Sequence, residues 1–304
     1  MDAPPESGSA SSPAAAPAEN LRERTEVPEE HLPEIFPDTV AVIGTGRSGT
    51  TWLTQIIAAS GMELIFEPLH SGQVPEAEQC KPLPLFARPG DDPPWTPVIA
   101  RALAGEFRSE WTLRANPGAS RRVIKFIRGN LIADWMSRRF QICPVFMVRN
   151  PLSVVASMME QEWTVTPSFV RGAIRRKDLR EAYFEPFMDL VEDEPSQIET
   201  YTLFWCIQNY PPWRGGLWER IPLVRFEDLA RNPVEEVHRL AEMLDFNVTA
   251  GVLEQTHRLS FMAGSRARRP GYDPTRSWRE ILSEDEARAI RAIVEQFGLE
   301  RFLE

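Results

Sequence analysis

Thr39-Val40-Ala41-Val42-Ile43-Gly44-Thr45-Gly46-Arg47-Ser48-Gly49-Thr50-Thr51-Trp52 reads as a strand, a turn and the start of a helix laid end to end. The run 39–43 is apolar and β-branched, as in a strand buried on both faces. Glycines follow at once. Apolar residues at 52, 53, 56 and 57 then make a stripe at helical spacing, and Gly61 supplies a stop signal. A glycine turn feeding a helix aims several backbone N–H groups at one spot, where the helix adds a partial positive charge of about half a unit. The segment from Gly44 to Trp52 is therefore expected to hold a phosphate or sulfate group. A plain connecting turn is the bland alternative, but strand, spacing, hydroxyls and helix all agree with an anion site.

The kind of anion follows from one position. Loops that bind nucleoside triphosphates read GxxxxGK[ST], the lysine reaching the β- and γ-phosphates and the next hydroxyl holding magnesium. Gly44 and Gly49 have that separation, but Thr50 stands where the lysine would be. The basic residue lies inside the loop instead, at Arg47, beside Ser48, Thr50 and Thr51. Such a loop suits a donor with a single phosphate-linked group and no obligatory metal.

Outward from this loop, further buried strands are predicted at 63–66, 123–127, 143–148 and 222–226. Helices are predicted near 130–138, 152–160, 196–209, 234–244 and 284–297. Alternating strands and helices imply an α/β fold, a three-layer sandwich around a central parallel sheet. Residues 1–20 are Ala, Ser and Pro with almost nothing large and apolar, and 21–37 are charged and proline-punctuated. Such a stretch cannot repay the entropy of ordering, so residues 1–37 read as a disordered tail and lead-in, and 38–304 as a single domain. The proline-rich stretch 75–97 reads as a long surface excursion of the kind that borders a substrate pocket.

Bulk properties exclude several classes. A net charge of -10 argues against a general nucleic-acid or membrane binder. Three dispersed cysteines show no CxxC or Cys/His spacing, so neither a disulfide framework nor a metal site is expected. The start of the chain has no basic-apolar secretory pattern, and no run of about 18 apolar residues occurs. These features read as a cytoplasmic protein without a membrane span, its oligomeric state left open.

A second anion site is expected after the strand 143–148, which runs into Arg149-Asn150-Pro151. Asn150 is a good N-cap and Pro151 a good first helical residue. Arg149 then stands at the carboxyl end of a strand, where open α/β sheets place ligands. Ser153 and Ser157, four apart, share one helix face, and Ser157 could fold back toward Arg149. Small residues on a helix also pack, and the serines alone do not decide between the two uses.

The two sites together resemble the sulfotransferases. Arg47-Ser48-Gly49-Thr50-Thr51-Trp52 is similar to their PKSGTTW loop, with arginine for lysine, and Arg149-Asn150-Pro151 followed by Ser157 is similar to R-[ND]-P-x-x-x-x-x-S. Three shorter segments add to the match. Phe226-Glu227-Asp228-Leu229 with Asn232-Pro233 resembles [YF]-E-D-L…N-P. Arg122-Val123-Ile124-Lys125 resembles a strand that carries a catalytic lysine. Arg269-Pro270-Gly271 with Ser277-Trp278-Arg279 resembles a late segment that closes over the nucleotide. The likeness spans about residues 38 to 282 and implies the sulfotransferase variant of the P-loop fold.

Carried over position by position, the resemblance implies 3′-phosphoadenosine 5′-phosphosulfate as co-substrate, without a metal. Arg47, Ser48, Gly49, Thr50 and Thr51 would hold its 5′-phosphosulfate, with Trp52 against the adenine and Phe226 also on the nucleotide. Arg149 and Ser157 would hold the 3′-phosphate, joined by Arg268, Arg269 and Gly271. Arg47 and Lys125 would face the charge that grows on the leaving oxygen. Where one branch of the family has K-T-H, this chain has Ile127 in the histidine position. The base must come from elsewhere. Phe66-Glu67-Pro68-Leu69-His70 resembles the [FY]-E-P-[LV]-W-H segment of carbohydrate sulfotransferases, which makes Glu67 the first candidate and His70 the second. A glutamate before proline could equally cap a turn. The acceptor is an unidentified hydroxyl or amine compound, with a carbohydrate, glycolipid or small metabolite in view, and the arginines at 171, 175, 176 and 180 with Lys177 could attract an acidic one. Two other readings stay open: a P-loop kinase or other triphosphate enzyme, and an inactive sulfotransferase-like nucleotide-binding module.

Overall fold

The computed structural model describes residues 35–304, and the stretch read as a disordered tail lies outside them up to residue 34. Among the described residues, one sheet holds β1 (Ile35–Gly44), β2 (Glu63–Phe66), β3 (Leu113–Ala115), β4 (Arg122–Phe126), β5 (Gln141–Val148) and β6 (Leu223–Arg225). Their spatial order is β3-β2-β4-β1-β5-β6. β1 begins four residues before the run read from sequence. Phe36 is buried there and meets Phe140 at 5.9 Å between ring centroids.

Strands β2, β4, β1, β5 and β6 run parallel, as the alternating pattern implied. The sheet is nevertheless mixed, because β3 pairs antiparallel with β2 at the edge. Leu113-Arg114-Ala115 is too short to show an apolar period, so sequence alone gave it no signal. An edge strand this short and charged also offers little template for pairing with another chain.

Alternation along the strands divides the core. Val40 and Val42 pack on one face with Leu53 and Ile56 of α1 (Thr50–Ala58). Ala41 and Ile43 pack on the other with α2 (Thr96–Ala104) and α3 (Ala133–Arg139). That period of two makes three layers from one sheet. A further apolar cluster joins α4 (Pro151–Glu160) to the helices Pro167–Arg175, Gln197–Arg214 and Glu284–Gln296.

The stretch 75–97 runs largely over the surface, but scattered apolar residues anchor it to the core. Ala77, Cys80, Leu85, Ala87 and Trp95 are buried, and Trp95 packs edge-on to Trp135 at 5.1 Å. The prolines punctuate a chain whose apolar residues still cover the sheet. Pro97 lies in the first turn of α2, a position that needs no N–H donor, so it starts a helix that the sequence reading omitted.

From β1 the chain crosses beyond β4 to β2 through α1, while from β4 it crosses β1 to β5 through α3 on the opposite face. A reversal of this kind opens a crevice at the carboxyl ends of the strands.

Candidate active site

All five parallel strands deliver residues to one cleft of about 410 Å³ from their carboxyl ends. β1 runs into the glycine loop, β2 into Glu67, β5 into Arg149 and β6 into Phe226, while Lys125 is the penultimate residue of β4. Residues distant in sequence meet because parallel strands all point the same way.

The loop has the strained backbone of a cradle. Arg47 and Gly49 have φ of 69° and 90°, and Ser48 N–H donates to the Thr45 carbonyl at 3.1 Å. Below, Thr45 Oγ1 accepts from Asn209 Nδ2 at 3.0 Å, which pins the loop to the helix Gln197–Arg214. α1 opens at Thr50 with no side-chain cap, leaving its first N–H groups without intrahelical acceptors. The Ser48 hydroxyl is buried without a hydrogen-bond partner. An oxyanion in the cleft would satisfy the open N–H groups at the start of α1.

Two glycines close the cradle for different reasons. A Cβ on Gly46 would overlap the indole of Trp163, and one on Gly49 would press into the Phe226 ring. Only Gly49 also has a left-handed backbone, which side chains rarely adopt. Gly46→Ala should therefore weaken anion binding, and a second change, Trp163→Ala, should restore it. Gly49→Ala should stay impaired after Phe226→Ala, because its strain is in the chain itself. Calorimetric titration of the four variants checks both, and rescue at Gly49 would contradict the backbone argument.

Hydrogen bonds join the two segments expected to hold anions. Arg47 Nε donates to Ser157 Oγ at 3.0 Å, and Arg149 Nη1 donates to the Arg47 carbonyl at 3.1 Å. Ser157 is thus tied to Arg47, where the sequence paired it with Arg149. Arg149 lies with its guanidinium 4.2 Å above the Phe226 ring, and its Nε is buried without a partner. Burial holds both arginines below their ordinary pKa, and the charge of Arg149 depresses Arg47 further. Asn150 caps α4 as expected, accepting from Leu152 N–H at 2.9 Å. Its own N–H donates to the buried Glu227, whose carboxyl is raised by burial.

At the far end, Lys125 Nζ lies 2.6 Å from Glu67 Oε1, and Arg128 Nη1 lies 3.5 Å from Glu67 Oε2. Burial lowers the Lys125 pKa, and the adjacent Glu67 charge opposes that shift. Glu67 has φ of 43° although it precedes a proline, a conformation that costs free energy and concentrates at functional sites. His70 does not line the cleft. Its ring stands edge-on to Trp111 at 5.1 Å, and burial together with Arg128 lowers its pKa.

The other sequence candidates divide in the same way. Thr50, Thr51, Trp52, Arg269 and Gly271 line the cleft, whereas Ser48 lies beneath it and Arg268 points elsewhere. Trp52 packs 5.6 Å from Phe226. The late segment is latched over the opening by Arg47 Nη1 to the Met262 carbonyl (3.2 Å) and Arg149 Nη2 to the Pro274 carbonyl (2.6 Å). Arg266 anchors it to Glu160 at 2.9 Å. Trp163, Tyr272 and Arg128 were missed by the sequence reading. Nothing in their spacing marked them, since tertiary packing alone brings them to the site. The arginines once matched to an acidic acceptor are engaged within the protein: Arg171, Arg175 and Arg176 donate to backbone carbonyls, and Arg180 pairs with Glu185.

Fold and site together define an α/β protein with a P-loop-like anion cleft built around two arginines. Residues 37–280 match the family model of the sulfotransferase domain, and the chain belongs to that family. Carbohydrate sulfotransferase 1 of Danio rerio is 27% identical over 157 residues, a match covering 48% of this chain and 34% of that protein. Among solved structures, sulfotransferase STF9 of Mycobacterium avium aligns with a TM-score of 0.50 at 12% identity, covering 88% of this chain and 76% of that one. The sulfotransferase domain of the Synechococcus PCC 7002 olefin synthase aligns at 0.45 and 17% identity, covering 88% and 97%. At such identities the first structure shows a shared fold. Among the described residues, no helix is long and apolar enough to cross a membrane.

Proposed function

We propose that the chain transfers a sulfuryl group from 3′-phosphoadenosine 5′-phosphosulfate to an acceptor hydroxyl. One observation carries the reading. Buried Arg149 donates to the carbonyl of half-buried Arg47, and its charge depresses the Arg47 pKa, in a cleft that also holds a buried Lys125–Glu67 pair. Like charges desolvated together call for an anion between them. A donor with two phosphate-linked groups supplies one for each arginine, whereas a triphosphate would want the lysine that Thr50 replaces.

In this reading the loop N–H groups and Arg47 hold the phosphosulfate, while Arg149 holds the 3′-phosphate. Glu67 accepts the acceptor's proton as the new oxygen–sulfur bond forms. The sulfur–oxygen bond to the leaving phosphate breaks in the same in-line step, and Arg47 and Lys125 face the charge that grows on the departing oxygen.

Thermal stabilisation by adenosine 3′,5′-bisphosphate, and none by ATP with magnesium, is the expected result. The reverse pattern would favour the triphosphate reading. Bisphosphate binding with no sulfate transfer to any acceptor would favour the inactive binding module. Arg149→Ala should weaken the bisphosphate by about ten- to hundredfold, the range for a lost charge-assisted hydrogen bond. Arg149→Lys should recover only part of that, because an ammonium cannot present a two-pronged fork. Unchanged affinity in Arg149→Ala would remove the second anion site from the proposal.

A further inference from the structure

Among the described residues two carboxylates line the anion cleft, Glu67 and Glu160. Glu67 is matched by Lys125 and has a role in the proposed transfer. Glu160 has none, and its place is unfavourable twice over. It closes α4, where the helix end carries a partial negative charge, and it stands in a cleft suited to anions. Ser157, one turn earlier on the same face of α4, accepts from Arg47 Nε. Burial lowers the Arg47 pKa, and the Glu160 charge opposes that shift, so this carboxylate acts on the phosphosulfate end of the cleft. A bare carboxylate there would repel a phosphate-linked ligand.

The carboxylate is covered. Arg266 Nε lies 2.9 Å from Glu160 Oε1, and Arg266 Nη1 lies 3.1 Å from Glu280 Oε2. Glu160 and Arg266 are half-buried, whereas Glu280 is exposed and its charge is screened by water. Arg266 belongs to the segment 256–274, which lines the opening of the cleft. That segment sits flush on the end of α4, for a Cβ on Gly264 would lie 2.8 Å from Gln161 Nε2 and 3.6 Å from Glu160 Oε2. While the segment is seated, the charges of Arg266 and Glu160 cancel beside the ligand. With Arg266 withdrawn, one negative charge faces it.

We propose that Arg266 is a positioning residue of the donor site that acts through Glu160, neutralising that carboxylate so that the cleft accepts an anion only while the segment 256–274 is seated. The proposal rests on the sulfotransfer reading, which supplies the anion, and it adds a means of regulating the same site. Lifting the segment bares Glu160 and lowers the affinity for the nucleotide. Opening of the cleft and release of the bisphosphate product then become one event.

An ion pair between a segment and a helix could also serve as a plain fastening, and the two roles give opposite signs. The test titrates adenosine 3′,5′-bisphosphate calorimetrically into the full chain and three variants: Arg266→Gln, Glu160→Gln and the two together. Each change keeps hydrogen-bonding groups at the contact and removes only charge. The local charge falls by one unit in Arg266→Gln, rises by one in Glu160→Gln and is unchanged in the double variant. Affinity should therefore fall by about tenfold in Arg266→Gln, rise in Glu160→Gln and return to within about twofold of the wild type in the double variant, the scale of one unit charge near a protein surface. The Arg266→Gln deficit should also shrink at high salt, where screening shortens the reach of the bared carboxylate. A pair that only fastens the segment would weaken all three variants alike. That result would overturn the proposal, as would equal affinity throughout. A wild type that does not bind the bisphosphate would overturn the sulfotransfer reading, and the masking role would fall with it.

Discussion

Glu67→Gln should lower the rate of sulfate transfer by about 10²- to 10⁴-fold, the range that general-base catalysis supplies, while leaving adenosine 3′,5′-bisphosphate binding unchanged. The amide keeps the shape of the carboxylate and an oxygen that can still accept from Lys125. It loses the ability to take a proton. Backbone strain at this position is common to both residues, but Glu67→Gln leaves the buried Lys125 charge uncompensated, so the melting temperature should fall too and the rate is read well below it. The rate under saturating donor, read by mass gain on the acceptor, is the measurement. Near-normal turnover would remove Glu67 from the mechanism. The second candidate separates cleanly: His70 packs against Trp111 away from the cleft, so His70→Asn should alter the rate far less.

The parts legible in the sequence were those that a local pattern fixes. The run 39–43, the glycines after it and the stripe on α1 gave strand, cradle and helix together. Asn150-Pro151 marked the start of α4 through capping chemistry that needs no knowledge of the fold. Lys125 and Glu67 were placed by strand ends and by family resemblance, and parallel topology then explains why they meet. What stayed illegible depends on packing across the chain. β3 is too short for a period. The buried anchors Cys80 and Leu85 were hidden by prolines. Trp163 sits on Gly46 through a contact that no spacing encodes, and Arg128 reaches Glu67 only because β4 and β2 are neighbours. The Ser157 contact with Arg47 belongs to the same class, for helix periodicity gave the face of the serine but not its partner.

Lys125→Met should lower turnover by about 10²- to 10³-fold, as the loss of one preorganised donor at a developing oxyanion does elsewhere. Lys125 also neutralises Glu67. Breaking a buried ion pair leaves an uncompensated charge and costs about 3–5 kcal/mol, so the single variant should melt at a lower temperature. Arg128 softens that loss only in part, being 3.5 Å from the other oxygen and more exposed. In the double variant Lys125→Met with Glu67→Gln no fully buried charge remains, and the charge left there is that of the partly exposed Arg128. Stability should return while activity stays low, and recovery of both would mean that the lysine serves only the fold. The pH profile gives an independent reading. Burial lowers the Lys125 pKa from its ordinary 10.5, so the cation is lost as pH rises through a value below that figure, and the rate should fall there. Lys125→Arg keeps a positive charge throughout the same range. Whatever activity that variant retains should have its alkaline limb displaced upward, a movement that a purely structural role for Lys125 would not produce.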